Sequence, residues 1–391
     1  MLEDGRLMEI YYSHPSQEKI VGNIYKGRVE DVLPGLGSAF VDVGERQSLF
    51  LSRGEINDSI LIEHGLEPRN GRIPINKILR RGQSILLQVR RAGIRTKNPQ
   101  GTMKISLPGR YWVLLPEEDR IGLSRRITRP RVENRIRKMA HSLKSEGIGM
   151  IARTAAQWAS KEELRQDHEN LVQSWKRIEE AARAASAPML LYKELGLIQT
   201  ILRDRLLPDM AGVTVDSKVF YDKIKQFLDY MHMERYQKKI KLHNGKPPLF
   251  ELYNVEEQIQ ATQSPRVDLD GGGFLIISET EALTAIDINT GSDVKHRNQQ
   301  AAILNTNLEA TKEIARQLRL RKISGIIVVD MVDMKSPEAI QKVVDGLRLE
   351  LNKDRVPTDF IDVTELGLLE ITRKREEESL ADMLESAEFE A

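Results

Sequence analysis

The chain has 391 residues, of which 40% are hydrophobic and 30% charged, a composition typical of soluble globular proteins. This length predicts two or three folded units, since domains usually span ~100–200 residues. No apolar run approaches the ~18–20 residues of a membrane span. The lack of cysteine excludes disulfides and cysteine-ligated zinc. It is compatible with a reducing cytoplasm but does not require one.

The formal net charge is only +1, but the charges are unevenly distributed. Eleven Arg or Lys and no acid lie between Pro68 and Pro116. The segment from Arg120 to Lys138 contains eight more Arg or Lys and a single acid. From Glu376 onward there are seven acids and no base. This segregation predicts a basic binding face and a solvated acidic tail. The alternative is that the charges cluster by chance on solvated faces that bind no partner.

The first third of the chain is rich in short β-type runs. Leu7–Tyr12 predicts a strand, and the runs within Ile24–Leu51, Ile85–Val89 and Thr102–Leu107 are punctuated by Gly and Pro. Together they predict a small five-stranded barrel. Such a barrel is typical of the OB-fold, which commonly binds single-stranded nucleic acid.

The remainder predicts mixed helices and strands, so the expected fold class is a multidomain α+β protein. Gly147–Arg153 predicts a short strand and Lys161–Ala184 a long helix. The last third predicts an α/β unit. Its elements are a hairpin of Phe274–Ile277 and Leu283–Ile288, a helix Asn298–Leu320, a strand Gly325–Val329 and a helix Pro337–Leu351.

Polar side chains emerge near the ends of two of these strands. Because strand residues alternate between faces, Asp287 and Asn289 share the face opposite Ile286 and Ile288. Asp330 ends a run of four β-branched residues, which predicts a strand covered on both faces. Ligands gather at the carboxyl ends of strands in α/β sheets, so we expect Asp287 and Asp330 to lie together.

Two adjacent carboxylates repel each other unless a cation or proton lies between them. Oxygen ligands without His or Cys favour Mg²⁺, which can orient a phosphodiester and activate water. The alternative is structural: Asp330 caps the following helix and Asp287 pairs with an arginine. Spacing alone does not decide between the two. No Walker loop, H-E-x-x-H or G-x-S-x-G motif is present.

Several longer segments closely resemble the ribonuclease E/G family. They are co-linear and spread from about Leu2 to Arg375: Gly22–Gly27, Leu123–Ile127, Gly149–Thr154, Thr280–Asn289, Asn305–Ala310, Ile314–Arg321 and Gly325–Met334. The resemblance implies that Asp287 and Asp330 are magnesium-binding catalytic aspartates and Asn289 a catalytic asparagine. It also implies that Arg153 and Thr154 sense a 5′-monophosphate on the RNA.

The same resemblance implies RNA-contacting roles for Phe40, Phe50 and Lys97 in the barrel. Aromatic side chains can stack on unpaired bases, and Arg beside a hydroxyl can bind a terminal phosphate. From the residues alone, the two phenylalanines fit a plain barrel core equally well. Arg153 alone fits an arginine at the surface end of a strand.

The resemblance also implies a domain order. The expected segments are an N-terminal strand of an RNase H-like subdomain (1–22), an OB-fold (23–107), a 5′-sensor subdomain (108–188), an RNase H-like subdomain (189–266), a DNase I-like catalytic domain (267–375) and an acidic tail (376–391). Leu2–Tyr12 would then be a hairpin strand without its partner, as if translation began further upstream. The two-cysteine zinc link of many members is missing, so no zinc is expected and a homodimer is left open.

The function implied is Mg²⁺-dependent endonucleolytic hydrolysis of single-stranded, A/U-rich RNA, in RNA processing and decay. The downstream product would carry a 5′-phosphate. Two rivals stay open: a non-catalytic RNA-binding protein that uses the OB-fold alone, and a DNA nuclease or phosphoesterase with the same magnesium site.

Overall fold

The computed structural model describes residues 1–13, 20–57, 60, 73–93, 98–116, 118–291, 299–375 and 379–388. The strands in these residues are, in chain order, β1 (Leu2–Glu3), β2 (Arg6–Leu7), β3 (Ile24–Leu33), β4 (Ser38–Asp42), β5 (Leu49–Ser52), β6 (Ser84–Arg91), β7 (Gln100–Thr102), β8 (Leu107–Pro108), β9 (Trp112–Pro116), β10 (Ile121–Leu123), β11 (Ile148–Ala152), β12 (Met189–Tyr192), β13 (Val213–Val215), β14 (Ile240–Leu242), β15 (Arg266–Asp268), β16 (Phe274–Glu279), β17 (Leu283–Asn289), β18 (Gly325–Asp330), β19 (Thr358–Val363) and β20 (Leu369–Arg373).

The α-helices of the same residues are α1 (Pro130–Leu143), α2 (Lys161–Ala184), α3 (Leu197–Arg205), α4 (Lys218–Tyr230), α5 (Leu249–Leu252), α6 (Val255–Ala261), α7 (Gln299–Leu320), α8 (Pro337–Leu351) and α9 (Leu380–Glu388). None of the helices in this part of the chain combines the length and apolar character that a membrane crossing requires. The chain divides into two compact units, one of residues 13–244 and one of residues 1–12 with 245–391.

The unit of residues 13–244 contains a closed barrel. Its strands pair in the order β3, β4, β5, β7 and β6, and β6 pairs back with β3. Alternate residues point into the barrel, and these are fully buried in β4 and β5: Ala39, Val41, Leu49 and Leu51. Five closed strands are consistent with the predicted OB-fold. The single strand predicted at Thr102–Leu107 is wrong, because β7 ends the barrel there and β8 belongs to the next sheet.

A second sheet in this unit has the strand order β10, β11, β9, β8, with α1 and α2 packed against it. The predicted bounds of α2 are confirmed, and a capping box explains its start: the Ser160 hydroxyl accepts from the Glu163 amide, and the Glu163 carboxylate accepts from the Ser160 amide. The core beneath these helices includes Trp112, Ile136, Ala140, Met150 and Leu164. A separate smaller core lies among α3, α4 and the parallel strands β13 and β14.

The other unit is built on a six-stranded sheet in the order β15, β16, β17, β18, β20, β19. The strands β17 and β18 are parallel because α7 crosses between them, and the neighbouring pairs are antiparallel. The hydrophobic core lies between one face of the sheet and the helices α7 and α8. The prediction that β18 is covered on both faces is wrong, since Ile327 and Val329 are buried whereas Ile326 is 55% exposed.

The strand predicted at Leu7–Tyr12 is also wrong. Instead β1 and β2 form a short hairpin, in which Leu2 pairs with Leu7. Asp4 and Gly5 form its turn with positive φ angles of 51° and 80°, as a two-residue hairpin turn requires. Residues 8–13 form no strand.

Candidate functional site

Two carboxylates lie side by side on the open face of the six-stranded sheet. The parallel register places Asp287 of β17 directly opposite Asp330 of β18. Neighbouring strands are about 4.8 Å apart, and paired residues point to the same face. Both aspartates are exposed, while Ile286 and Ile288 on the other face are buried in the core.

Asn289 fixes the orientation of one carboxylate. Its Nδ2 donates a hydrogen bond of 2.7 Å to Oδ2 of Asp287, which leaves the amide oxygen as a further acceptor. Asp330 is not the cap of the next helix, because Ser336 caps α8 and accepts from the Ala339 amide. Among the described residues, neither aspartate forms an ion pair with an arginine or lysine.

The donor set of this face is made of oxygen atoms. Within the ranges that the structure describes, no three or more His, Cys, Asp or Glu side chains gather into a metal-binding group. Glu370 of β20 points to the same face, opposite Val328, but it does not complete such a group. Two carboxylates with space for water and a phosphate fit Mg²⁺, which keeps several waters and rarely occupies an all-protein cage.

Asn307 supports this site, and the sequence analysis missed it. This residue of α7 is fully buried, and its side chain makes two hydrogen bonds to the backbone of Val332, at 2.8 Å and 3.1 Å. It thereby fixes the chain two residues beyond Asp330. A polar residue at a buried position of an apolar helix face was the available signal, since such groups are retained with hydrogen-bond partners.

Arg153 and Thr154 lie at the end of β11, in the other unit. The Arg153 guanidinium donates to the carbonyl of Gly109 at 2.6 Å and pairs with Asp204 of α3 at 2.7 Å. Its side chain is only 22% exposed. The Thr154 hydroxyl lies 2.9 Å from the hydroxyl of Ser124. The two side chains are therefore held by separate partners.

The charges around Arg153 compensate one another. Burial lowers the pKa of Arg153, and the neighbouring Asp204 opposes that shift. Burial raises the pKa of the Asp204 carboxyl, but the charges of Arg153 and Arg203 outweigh it and hold that pKa below its ordinary value. Arg203 also pairs with Glu194 at 2.8 Å. The cluster is thus a buried network of ion pairs, which sequence could not reveal because Asp204 is some fifty residues from Arg153.

The two barrel phenylalanines form a pair on the outside of the barrel. Phe40 and Phe50 are register partners in β4 and β5, and their ring centroids are 5.9 Å apart at an angle of 67°. Both are half-buried, whereas Ala39 and Leu51 beside them point inwards and are fully buried. The interpretation of these rings as plain barrel core is therefore wrong. Lys97 lies outside the described residues.

Comparison with known proteins matches residues 106–376 to the ribonuclease E/G family. The chain belongs to this family. It is 40% identical over 385 residues to ribonuclease G of Haemophilus influenzae, which covers 98% of this chain and 78% of that protein. Ribonuclease G of Escherichia coli is 38% identical over 384 residues, with the same coverage. Ribonuclease E of a Nostoc species is 37% identical over 365 residues, or 93% of this chain and 52% of that protein.

Membership of the ribonuclease E/G family makes this protein an RNA-binding endoribonuclease that acts in RNA processing. The family assignment predicted from the co-linear segments is confirmed. Within that assignment, the roles of Asp287, Asn289 and Asp330, and those of Arg153, Thr154, Phe40, Phe50 and Lys97, stay predictions.

Proposed function

We propose that this endoribonuclease hydrolyses single-stranded, A/U-rich RNA in a Mg²⁺-dependent reaction that leaves a 5′-phosphate on the downstream product. The observation that supports the proposal most strongly is the direct register of Asp287 with Asp330 on an open sheet face. Two exposed carboxylates at this spacing repel each other, and a divalent cation removes that repulsion.

In this proposal Asp287 and Asp330 hold Mg²⁺ through carboxylate oxygens. When bound, Mg²⁺ would polarise the phosphodiester and lower the pKa of an attacking water. Asn289 holds Oδ2 of Asp287 through its 2.7 Å hydrogen bond and can accept or donate at the same face. Asn307 keeps the segment after Asp330 in place through Val332.

The barrel would hold the unpaired bases of the substrate. The outward pair of Phe40 and Phe50 offers aromatic surface on which bases can stack. Stacking requires an unpaired base but accepts any of the four bases, so this surface would select single-stranded RNA and not a particular sequence. The preference for A/U-rich RNA rests on the family resemblance. Phe40→Ala and Phe50→Ala should each weaken RNA binding by roughly tenfold, since stacking is worth ~1–3 kcal/mol per base.

Arg153 and Thr154 would bind a 5′-monophosphate. A guanidinium carries more N–H donors than the bonds to Gly109 and Asp204 use, and the next residue, Thr154, supplies a hydroxyl. Such donors can grip a terminal phosphate by charge-assisted hydrogen bonds. The proposal therefore includes faster cleavage of 5′-monophosphorylated RNA than of 5′-hydroxyl RNA.

The proposed division into subdomains follows the same reasoning: an OB-fold at 23–107, a 5′-sensor subdomain at 108–188, an RNase H-like subdomain at 189–266 with residues 1–22, and a DNase I-like domain at 267–375. Action in the cytoplasm and assembly into a homodimer are also proposals. Sedimentation of the purified chain measures the oligomeric state directly.

The decisive experiment compares matched single-stranded RNA and DNA oligonucleotides, each with and without Mg²⁺. We expect cleavage of the RNA only, and only with Mg²⁺, with a phosphate at the 5′ end of the downstream fragment. Equal cleavage of the DNA would favour a general phosphoesterase. Undiminished RNA cleavage in the presence of a chelator would contradict the metal role of Asp287 and Asp330.

A further inference from the structure

The exposed side of α1 is basic. At 100° per residue, Arg131, Asn134 and Lys138 share the face opposite the buried Ile136 and Ala140. All three are exposed. The helix is preceded by the exposed Arg125 and Arg129, so the basic character continues beyond its first turn.

No acid of α1 neutralises this face. The single acid of the helix, Glu133, lies towards the buried side and pairs with Arg137 at 2.9 Å. Arg137 therefore lies on one flank of the exposed face, and Arg135 lies on the other. The acids Glu118 and Asp119 pair with Arg120 and Lys144 near the opposite end of the helix.

Arg135 joins this face to a partly exposed tryptophan. Its guanidinium donates to the carbonyls of Ala156, Gln157 and Ala159, at 3.3 Å, 3.0 Å and 3.1 Å. These bonds hold the short 3₁₀ helix Thr154–Trp158 against the flank of α1. Trp158 is 40% exposed, although an aromatic side chain of that size is usually well covered.

We propose that the α1 face and Trp158 form a second binding surface for single-stranded RNA, separate from the barrel phenylalanines. Arg131, Arg135 and Lys138 would contact phosphates, and Trp158 would stack on an unpaired base. The proposal rests on the family's action on RNA, but not on the metal site or on recognition of a 5′-phosphate.

Charge and shape together favour RNA over an acidic protein here. An acidic peptide needs cations alone, whereas an unpaired nucleotide presents a negative phosphate and a flat base within one repeat. One flank of the α1 surface offers a cation for the phosphate, Arg135, and an aromatic ring for the base, Trp158. The exposed acid nearest to Trp158 in sequence is Glu162, which lies in the first turn of α2 between the basic residues Lys161 and Arg165. The exposed Glu146 follows the C-terminal end of α1, beyond Lys138.

Tryptophan fluorescence provides a direct test. The chain has three tryptophans, and Trp112 and Trp175 are buried, so an RNA-dependent change in emission reports Trp158. The full chain carrying Asp287→Asn is titrated with 5′-hydroxyl single-stranded RNA, so that neither cleavage nor a terminal phosphate contributes. We expect quenching that Trp158→Phe abolishes, and about tenfold weaker binding with Trp158→Ala. Unchanged emission at saturating RNA, or equal quenching in Trp158→Phe, overturns the proposal.

Charge variants of the same helix give an independent test with a matched control. Arg131→Gln with Lys138→Gln should lower the slope of log affinity against log salt by about two, because roughly one counterion is released per phosphate contact. Arg137→Gln removes a cation from the same helix but on the Glu133 flank, and it should leave the slope unchanged. An equal effect per removed charge in the double variant and in Arg137→Gln would show general electrostatic attraction and overturn the proposal. So would binding of an acidic peptide in place of RNA.

Discussion

The two charged clusters that carry the proposed function are built in opposite ways. Asp287 and Asp330 lie next to each other on an open sheet face, both exposed, with like charges in direct register. Arg153 lies in a largely buried network, where each charge meets an opposite one: Asp204 pairs with both Arg153 and Arg203. The first cluster needs a cation from outside, and the second is neutralised from within.

This difference separates charges that serve the reaction from charges that also stabilise the fold. Removing a charge from the open pair relieves repulsion, so the fold should tolerate it while the chemistry is lost. Removing a charge from the buried network leaves its partner without compensation, so the fold should suffer along with any ligand binding.

The largest effect is expected from the open pair. Asp287→Asn and Asp330→Asn should each lower the cleavage rate by about 10³-fold or more, since metal activation supplies several kcal/mol of transition-state stabilisation. RNA binding should stay close to wild type, because phosphate and base contacts elsewhere supply the affinity. Cleavage assays, RNA titrations and thermal unfolding of the purified variants measure all three quantities.

The matched control is Asp359→Asn, which removes an exposed carboxylate from β19 of the same sheet. It should leave cleavage unchanged. Near wild-type cleavage by either Asp287→Asn or Asp330→Asn would contradict the proposal that both carboxylates bind Mg²⁺. A marked drop in their unfolding temperature would show that the open pair stabilises the fold after all.

A smaller effect is expected from the residue that supports the pair. Asn307→Ala removes both hydrogen bonds to the backbone of Val332 and should raise the Mg²⁺ concentration needed for half-maximal cleavage about 10–100-fold. The partly buried backbone groups of Val332 lose their partners, so the unfolding temperature should fall as well. A Mg²⁺ titration of the initial rate makes the measurement. An unchanged Mg²⁺ requirement in a folded Asn307→Ala variant contradicts a positioning role.

Roughly a tenfold effect is expected at Arg153. Arg153→Ala should erase the preference for 5′-monophosphorylated over 5′-hydroxyl RNA and spare the basal rate, because a hydrogen bond to a charged group is worth ~1.5–3 kcal/mol. It should also lower the free energy of unfolding by about 1–3 kcal/mol, less than for a fully buried pair because both partners are partly exposed. Rates on the two substrates and urea unfolding test both halves.

The control for Arg153→Ala is Arg177→Ala on α2, an exposed arginine outside this network. Equal rates on the two substrates for the wild-type protein, measured for a demonstrated dimer, would refute the sensor role. A lost preference without lost stability would show that the pair with Asp204 contributes little to the fold.

The sequence predicted the parts of this contrast that depend on local periodicity. Alternation along β17 correctly separated Asp287 and Asn289 from the buried Ile286 and Ile288. The same reasoning failed at β18, because β-branched residues favour strands whether or not both faces are covered, and Ile326 is exposed. The hairpin turn at Asp4-Gly5 had a local signal that was overlooked.

Long-range partners could not be predicted in this way. The bond from Asn307 to Val332 joins a helix to a strand end, and the pair of Arg153 with Asp204 joins a strand end to another helix. No local propensity encodes such contacts. They decide which polar residues are satisfied internally and which stay open to a ligand, and therefore where function and stability separate.

The smallest effect expected is the pH dependence of the buried network. The pKa of Asp204 is lowered in the folded protein: burial raises it, and the charges of Arg153 and Arg203 lower it by more. A depressed carboxyl pKa contributes stability that is present above the unfolded pKa and is lost as the pH falls through the folded pKa. The difference in unfolding free energy between wild type and Asp204→Asn should therefore shrink on acidification from neutral pH.

The pKa of Asp167 is raised by burial, which outweighs its hydrogen bonds from three backbone amides, so its contribution to stability changes with pH in the opposite sense. Both proteins contain Asp167, so its contribution cancels when their unfolding free energies are subtracted. Urea unfolding of both proteins at neutral and acidic pH provides the measurement. A difference that stays constant or grows on acidification would show that the carboxylate of Asp204 is not stabilised by the arginines around it.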